Sequence, residues 1–354
     1  MSTFSRLAAL PLEIEGYELE PLEQTVGDGF TRRTTAVRLR GGAEDGVGED
    51  VTYAPEEHEA FQLAGPVHAL AGAHTLASFS QLIGGLDLFP GGAPRFPEWR
   101  LYRRWAFESA ALDLALRLAG TSLAGALGRE PRPVRFVVSP KLGDPPRIEP
   151  LRALLGTYPG TRFKLDPTPG WKEGLVEELV ALAAVDTLDL KGAYRGTAVD
   201  NPADPDLYRL VAEAFPSAWI EDPDLGDPRA DAVLAPHRGR ITWDAPIHSV
   251  ADVDRLAFRP RTLNCKPSRF GSLRALCEFY DACAGRGIGL YGGGQFELGV
   301  GRRQVQYLAS LFHADAPNDV APSGYNLPDP CAGLPASPLE PGSAGPGFGW
   351  GLQH

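Results

Sequence analysis

The chain has 354 residues, with 34 Lys and Arg against 45 Asp and Glu, which gives a formal net charge of −11. This acidic balance disfavours a non-specific nucleic-acid binder, because neutralising phosphates takes clustered Lys and Arg, and it leaves room for a carboxylate-rich cation site. At roughly 150 residues per domain, the length predicts two domains, or one large barrel with an additional lobe. No apolar run is long enough for a transmembrane helix, and the start, MSTFSRLAAL, does not resemble a signal peptide.

The first 130 residues predict an α+β unit. Residues 13–24 and 33–40 alternate apolar and polar side chains, which is typical of two strands of a hairpin. We expect a Gly- and Asp-rich turn from Gly41 to Gly48. Residues 101–119 carry apolar side chains at helical spacing, and Gly120 suits the C-cap of that helix.

From residue 133 onward, strand-like and helix-like runs alternate. The predicted strands are 134–139, 161–166, 186–190, 218–222, 240–244, 262–266 and 288–292, with a weaker eighth at 319–321. Strict alternation implies a parallel sheet, and about eight such units predict an α/β fold of the closed (β/α)₈ barrel type. An open doubly wound sheet is the alternative, but no GxGxxG follows the first strand, so dinucleotide binding gains no support.

Cysteine and histidine usage predicts a cytoplasmic protein without a histidine zinc site. The chain shows no CxxC and no HxxxH spacing. We expect its cysteines to be reduced, partly buried thiols; they are Cys265, Cys277, Cys283 and Cys331. Neither a membrane nor a nucleic acid is expected as a partner.

Polar side chains follow one another at the C-terminal ends of the predicted barrel strands, where such barrels carry their chemistry. In chain order they are Lys164 and Asp166, Asp189 and Lys191, Glu221, Asp244, and Lys266. Successive strand ends lie about one strand–helix unit apart, so we expect all these side chains at one mouth of the barrel.

Asp189, Glu221 and Asp244 come from three neighbouring strands and predict a cation site. Carboxylate oxygens are the ligands that Mg²⁺ prefers. Without a cation the three carboxylates would repel one another, and some would have raised pKa values. Lys164 and Lys266, on the flanking strands, would face each other across a bound ligand, and a nearby cation favours the neutral form that acts as a general base.

Taken singly, each of these residues has a plainer interpretation. An Asp or Glu at a strand end is more often an N-cap or a loop residue, and a Lys is more often a surface group. Asp222 and Asp224, beside Glu221, are expected to be such capping or loop residues. The ordered series, rather than any single member, favours a functional site.

Several motifs, in this order along the chain, carry a resemblance to a known family. They are DGVGEDV, AFESAALDLALRLAGTSLAGALG, RFKLDPTPGW, WIEDP, TLNCKPSRFGSLRAL, YGGGQFELGVGRR and PGFGW. This series resembles the muconate lactonizing enzyme branch of the enolase superfamily, and within it the o-succinylbenzoate synthase and N-acylamino acid racemase group. TLNCKPSRFGSLRAL resembles the sixth-strand motif N-x-K-P-x-R-x-G-G, and YGGGQFELGVGRR resembles the seventh-strand motif G-G-M-x-E-x-G-x-G-R.

The resemblance implies a modified (β/α)₈ barrel with an α+β capping domain built from both chain ends. We therefore expect a cap over residues 1–130, a barrel over 131–325, and a C-terminal segment, 326–354, that returns to the cap. The Pro and Gly content of that segment on its own leaves disorder as an alternative. For the site, the resemblance implies Mg²⁺, or Mn²⁺, held by Asp189, Glu221 and Asp244. The shared step is removal of the proton α to a carboxylate, for which this superfamily uses a Lys or His base with Mg²⁺.

The chain departs from the family pattern in three places. The second Lys of the family's K-x-K is Asp166 here, and the fifth-strand D-E-S reads Asp244-Ala245-Pro246. Where the family has Asn two positions after the third-strand Asp, this chain has Lys191, which would project into the mouth beside the metal. Lys191 would then displace a water at the metal or supply the base lost at 166. The alternative is a structural ion pair with Asp166.

These departures bear on the expected reaction. With only Lys266 secure as a base, a one-base elimination on a small carboxylate, such as dehydration or cycloisomerisation, is the main expectation. Racemisation or epimerisation of an amino acid or dipeptide needs groups on both faces of the α-carbon, and remains open if Lys164 or Lys191 substitutes. A barrel that has lost catalysis and serves as a binding protein, or an unrelated reaction with the same metal, is the other alternative.

Substrate specificity is expected from the cap and the seventh strand. By resemblance, residues 24–33 lie over the mouth, where Arg32 or Arg33 could hold a second substrate carboxylate in a bidentate pair. The alternative is that both are solvated strand charges. Gln295 and Glu297 are weaker candidates, since Glu297 would equally form a structural pair with Arg302. Family members often assemble, so a homo-oligomer is also an expectation.

Overall fold

The computed structural model describes residues 2–26, 30–89, 91–197, 199–327, 332–343 and 345–350. Part of the predicted loop 24–33, the thiol of Cys331 and the last four residues therefore lie outside the described residues. None of the helices in these ranges has the length and apolar character that spanning a bilayer requires.

The N-terminal part combines antiparallel strands with helices. Its strands are β1 (Pro11–Ile14), β2 (Gly16–Val26), β3 (Phe30–Gly41), β4 (Glu44–Asp50) and β5 (Gly72–Thr75). Its helices are α1 (Pro55–Ala64), α2 (Leu76–Gly84), α3 (Trp99–Leu118) and α4 (Leu123–Leu127), after a 3₁₀ turn at Phe4–Arg6. β2, β3 and β4 form one antiparallel sheet, and β1 pairs with β5.

The predicted turn over residues 41–48 is wrong, because β4 begins at Glu44 and contains Gly46 and Gly48. Both glycines lie where α3 packs directly on the strand. A Cβ at Gly46 would come within 2.2 Å of Ala110 O, and a Cβ at Gly48 within 2.0 Å of Ala106 O. These glycines thus permit a close approach of helix and sheet rather than a reversal of the chain.

The second part alternates strands and helices. Its strands are β6 (Phe163–Leu165), β7 (Val185–Asp189), β8 (Trp219–Glu221), β9 (Ile241–Thr242), β10 (Thr262–Cys265) and β11 (Gly289–Gly292). Its helices are α5 (Glu149–Thr157), α6 (Glu173–Ala181), α7 (Pro205–Ala214), α8 (Pro228–Leu234), α9 (Val250–Asp254), α10 (Pro267–Phe270), α11 (Leu273–Arg286) and α12 (Val300–Phe312). Two 3₁₀ helices lie at Ala235–Arg240 and Ser323–Asn326.

The strands of this part are parallel, as the alternation predicts. β6, β7, β8 and β9 are neighbours in that order, and β10 pairs with β11. The amide of Asn264 donates to Trp243 O at 3.0 Å and links the two groups. The predicted first and eighth strands appear as isolated bridges, which are Phe136–Asn318, Val138–Phe163 and Gly293–Asp319. This succession of hydrogen bonds is consistent with a barrel whose strand ends share one mouth.

The described residues 345–350 lie against the N-terminal helices. The amide of Phe348 donates to Asp113 Oδ1 in α3 at 2.7 Å, and the Phe348 ring meets Trp105 edge-on. The amide of Leu123 donates to Gly347 O at 3.2 Å. Buried apolar side chains from both parts of the chain form one connected core, so residues 345–350 contribute to packing although their composition alone would suggest disorder.

Candidate active site

Asp189 and Glu221 are paired residues at the ends of the parallel strands β7 and β8. Paired residues on neighbouring strands project to the same face of a sheet, and both side chains here are fully buried. Lys164 in β6 reaches the same point, where its Nζ lies 3.0 Å from Asp189 Oδ2 and donates to Glu221 Oε1. The Tyr291 hydroxyl donates to Glu221 Oε2 from β11. Side chains from three neighbouring strands, β6, β7 and β8, and from β11 thus meet at one point.

Asp244 lies two residues beyond β9 and is held by a second set of cations. Lys266 Nζ lies 2.7 Å from Asp244 Oδ2, and Arg269 Nε lies 3.1 Å from Asp244 Oδ1. The Tyr194 hydroxyl also donates to Asp244 Oδ2 at 2.7 Å. Lys266 immediately follows β10 and precedes α10, so the strand end directs its side chain to the mouth.

Gly293 leaves the space that Lys266 occupies. A Cβ at Gly293 would come within 2.8 Å of both Lys266 Cε and Asn264 Oδ1. Since real Cβ atoms are not found that close to other heavy atoms, a larger residue here would displace the lysine. The run of glycines after Tyr291 is therefore part of how the site is shaped.

Lys191 reaches Asp189 by a different path from the one predicted. β7 ends at Asp189, and Lys191 adopts a left-handed backbone conformation with φ of 55°. This turn brings its Nζ onto Asp189 Oδ2, while Asp166 Oδ1 lies 3.7 Å away. Lys191 thus contacts both carboxylates, and its predicted role at a metal or as a base stays a prediction.

Asp222 is a buried member of the site that the sequence analysis treats as a capping or loop residue. Its backbone is left-handed, with φ of 47°, and its carboxylate accepts the amides of Asp244 at 2.8 Å and Ala245 at 2.9 Å. Asp222 therefore fixes the segment that presents Asp244. Its only sequence signal is its position next to Glu221. Arg269 was also missed as a site residue, although the motif around Lys266 contains it.

The pKa values of the four buried carboxyls divide into two groups. Burial raises the pKa of Glu221 to about 8 against the opposing effect of Lys164, and it raises the pKa of Asp222 to about 7. Burial acts in the same direction on Asp189 and Asp244, but their cationic partners outweigh it and hold both pKa values below the usual range. Cationic neighbours thus favour the ionised forms of Asp189 and Asp244, while burial disfavours ionisation of Glu221 and Asp222.

This charge distribution fits a divalent cation. Asp189, Glu221 and Asp222 each offer an oxygen within 4.8 Å of the others. These are hard, buried oxygen donors, and a bound cation would favour the ionised forms of Glu221 and Asp222, whose pKa values burial raises. The buried acidic group can therefore bind a divalent metal. Asp244, which the sequence analysis places among the ligands, lies outside this close group and is held by Lys266 and Arg269.

The two arginines predicted to bind substrate have different surroundings. Arg32 is buried, and its guanidinium donates to four backbone carbonyls, those of Val51, Thr52, Gln295 and Phe296. These bonds connect the segment after β4 to the segment after β11. Arg33 points outward and pairs with Glu23 at 2.6 Å and with Glu59. Neither set of contacts directs a guanidinium into the mouth, so carboxylate binding by either residue stays a prediction.

Gln295 and Glu297 also make internal contacts. Gln295 Nε2 donates to the Tyr102 hydroxyl at 3.1 Å, and the Tyr53 hydroxyl donates to Gln295 Oε1 at 3.0 Å. Glu297 lies 3.2 Å from Arg302, which is the structural pair considered from the sequence. Gln295 thus joins two tyrosines of the N-terminal part to the segment that follows β11.

Comparisons with known proteins identify enzymes as relatives. The chain is 29% identical over 234 residues to an o-succinylbenzoate synthase of Geobacillus kaustophilus, an alignment that covers 62% of this chain and 59% of that protein. It is 30% identical over 318 residues to an N-succinylamino acid racemase of Amycolatopsis sp., which covers 86% of this chain and 82% of the racemase. The chain thus spans less than two thirds of the synthase and most of the racemase.

Family models and solved structures agree with these relatives. Two models, described as the N-terminal and C-terminal domains of a domain of unknown function, DUF8230, match residues 5–126 and 130–327. The fold resembles that of an enolase superfamily member from Listeria innocua with a TM-score of 0.66, at 21% identity and covering 97% of this chain and 95% of that one. The predicted fold class and the family resemblance are thereby confirmed.

Proposed function

Because this chain belongs to the DUF8230 family and to the enolase superfamily, we propose that it removes the proton α to the carboxylate of a small substrate, with Lys266 as the base. The observation that carries the proposal is the convergence of Lys266 with the buried carboxylates. Its Nζ lies 2.7 Å from Asp244, while Asp189 and Glu221 stand at neighbouring strand ends of the same mouth. A base and a cation site beside one substrate position are what α-proton removal requires.

The proposed metal is Mg²⁺ or Mn²⁺, held by Asp189 and Glu221 together with Asp244 or Asp222. When bound, such a cation supplies positive charge beside the substrate carboxylate, where negative charge grows as the proton leaves. Lys266 Nζ takes the α-proton. Arg269 Nε lies 3.1 Å from Asp244 Oδ1, and the Tyr194 hydroxyl donates at 2.7 Å to Oδ2, the oxygen that Lys266 contacts; together they position the carboxylate against the lysine.

A one-base elimination, such as a dehydration or a cycloisomerisation, fits the remaining lysines best. Lys164 is buried between Asp189 and Glu221, and Lys191 is held by Asp189. Burial alone would lower the pKa of Lys191, but Asp166 and Asp189 outweigh it and raise that pKa well above its usual range. Both lysines are thus held in the protonated form, which cannot act as a base. Asp166 stands where the family has its second lysine.

Racemisation or epimerisation is the second candidate, and the Amycolatopsis racemase favours it, because the alignment covers most of both chains. Such a reaction needs a second acid or base on the opposite face of the α-carbon. In this chain that role would fall to Lys164 or Lys191. Elimination and racemisation therefore differ in whether the configuration at the α-carbon inverts.

The test is α-proton exchange with solvent. A panel of N-acyl amino acids, dipeptides and acid sugars is incubated in D₂O with Mg²⁺, and the α-proton signals are followed by NMR. We expect loss of the signal for at least one class, and a rate lower by about 10²-fold or more for Lys266→Ala. Lys172→Ala is the matched control, since Lys172 is exposed and its Nζ donates to the Pro169 carbonyl, away from the site.

The products separate the candidates. New alkene or ring signals without inversion support a one-base elimination, whereas formation of the opposite enantiomer on a chiral column supports racemisation. If no compound exchanges although isothermal titration calorimetry shows bound Mg²⁺, the proposal is overturned and a binding role remains. Exchange that persists unchanged in Lys266→Ala would remove Lys266 as the base.

A further inference from the structure

Lys191 places a positive charge on a carboxylate that the proposed function assigns to the metal. Its Nζ donates to Asp189 Oδ2, and Lys164 Nζ lies 3.0 Å from the same oxygen. The other oxygen, Asp189 Oδ1, accepts the backbone amide of Lys191 at 3.2 Å. Oδ2 thus carries two ammonium donors, so a metal that binds Asp189 through this oxygen must displace one of them.

Lys191 has a second position within reach. Asp166 Oδ1 lies 3.7 Å from Lys191 Nζ, and this buried oxygen has no hydrogen-bond partner among the described residues. A small rotation of the lysine side chain would make that hydrogen bond and leave Lys164 as the one ammonium group at Asp189 Oδ2 among the described residues. Lys164 has less freedom, because it is 2% exposed and sits between Asp189 and Glu221.

We propose that Lys191 is a tethered cation that competes with the divalent metal for Asp189, and that Asp166 receives its ammonium group when the metal binds. This inference rests on the metal site of the proposed function. It explains two departures from the family pattern together. These are Asp166 in place of the family's second lysine, and the presence of Lys191. The pair sets metal affinity, because the lysine must leave Asp189 and the aspartate stabilises the position to which it moves.

The test is metal affinity, measured on the purified protein by isothermal titration calorimetry with Mg²⁺ and by the electron paramagnetic resonance signal of free Mn²⁺. Lys191→Met removes the charge and keeps the length of the side chain. Lys191→Asn is the second variant, since Asn tolerates the left-handed backbone at this position better than most residues. We expect both to lower the Kd by about tenfold or more, because a unit charge in contact with a ligand carboxylate is removed.

Asp166→Asn distinguishes competition from a structural ion pair. Without the aspartate the ammonium stays on Asp189, so the Kd should rise by about threefold or more. In Asp166→Asn/Lys191→Met the Kd should return to that of Lys191→Met, because the aspartate acts through the lysine. Lys172→Met, which removes one charge from an exposed position, should leave the Kd within about twofold of the native value.

Several outcomes would overturn the proposal. They are an unchanged or weaker affinity in both Lys191 variants, an equal gain in Lys172→Met, and a failure of the native protein and all variants to bind either metal. Loss of folding is checked by the urea midpoint of each variant. None of these measurements requires turnover, so the two proposals can fail separately. A protein that does not exchange α-protons can still show the expected changes in metal affinity. A protein that exchanges α-protons can still show unchanged metal affinity in the Lys191 variants.

Discussion

Gly293 and Lys266 approach so closely that a Cβ on the glycine would lie 2.8 Å from Cε of the lysine. We therefore expect Gly293→Ala to push Lys266 away from Asp244 and to slow α-proton exchange by about tenfold to a hundredfold, since misplacing a catalytic group by about 1 Å costs up to 10²-fold. The measurement is the NMR exchange rate, with the urea midpoint recorded in parallel.

Gly285→Ala is the control for this substitution. Gly285 lies in α11, and an added Cβ there would meet nothing within 4 Å. We expect native exchange and a small gain in stability, because alanine is the better helix former. If Gly293→Ala kept the native exchange rate, the close contact would not limit the position of Lys266.

The order of polar strand ends allowed the position of the site to be predicted from the sequence. Because barrel strands run parallel, Lys164, Asp189 and Glu221 are brought together by the regular spacing of strand–helix units alone. Asp222 could not be assigned this way. Its carboxylate enters the site through a left-handed backbone turn, and a repeating strand pattern carries no information about such a turn.

The cap shows a similar limit. Alternation predicts that residues 33–40 form a strand, and β3 contains them, but it does not say what covers each face. Arg32 is buried because the segment after β11 brings two carbonyls to it, those of Gln295 and Phe296. That contact joins residues more than 260 positions apart, and only tertiary packing decides it.

Loss of the charge at Arg32 and at Arg33 should change the free energy of unfolding to very different extents. Arg32→Met removes the buried guanidinium that donates to four backbone carbonyls, and we expect it to lower the free energy of unfolding by about 3–5 kcal/mol. Arg33→Met, at the neighbouring position, removes solvent-exposed ion pairs and should leave the free energy of unfolding close to the native value. Urea denaturation followed by circular dichroism measures both.

Substrate affinity supplies the second readout for this pair. If the KM for the substrate identified by exchange rose sharply in Arg33→Met while stability stayed native, Arg33 would bind the substrate carboxylate as the sequence suggests. Equal stability losses in the two variants would contradict the structural role assigned to Arg32.

Asp222→Asn should loosen the segment that presents Asp244 and lower the affinity of the cation site. An amide oxygen can accept one of the two backbone amides that Asp222 now accepts, while its NH₂ group faces the other. We expect a loss of about 1–3 kcal/mol in the free energy of unfolding and a weaker Mg²⁺ affinity. Titration calorimetry and urea denaturation test the two effects, and native values in both would contradict them.

His313 should make stability depend on pH. Its Nδ1 lies 2.7 Å from Asn318 Oδ1, whose amide group donates to three backbone carbonyls, so Nδ1 carries the proton. Nε2 is buried without a hydrogen-bond partner among the described residues. Burial lowers the pKa of His313 from 6.5 to about 4. The unfolded chain therefore binds this proton more readily than the folded protein does.

This contribution to stability is fully present above pH 6.5 and is lost as the pH falls from 6.5 towards 4. Between pH 7.5 and pH 5 the native protein should lose about 2 kcal/mol from this group alone, by linkage. His313→Gln keeps a donor for Asn318 but cannot titrate, so its loss over the same interval should be smaller by about that amount. Urea denaturation of both proteins at the two pH values measures how their pH dependences differ. The carboxyl cluster titrates alike in the two proteins, so its contribution cancels in that difference. An equal pH dependence in the two proteins would show that folding does not lower the pKa of His313.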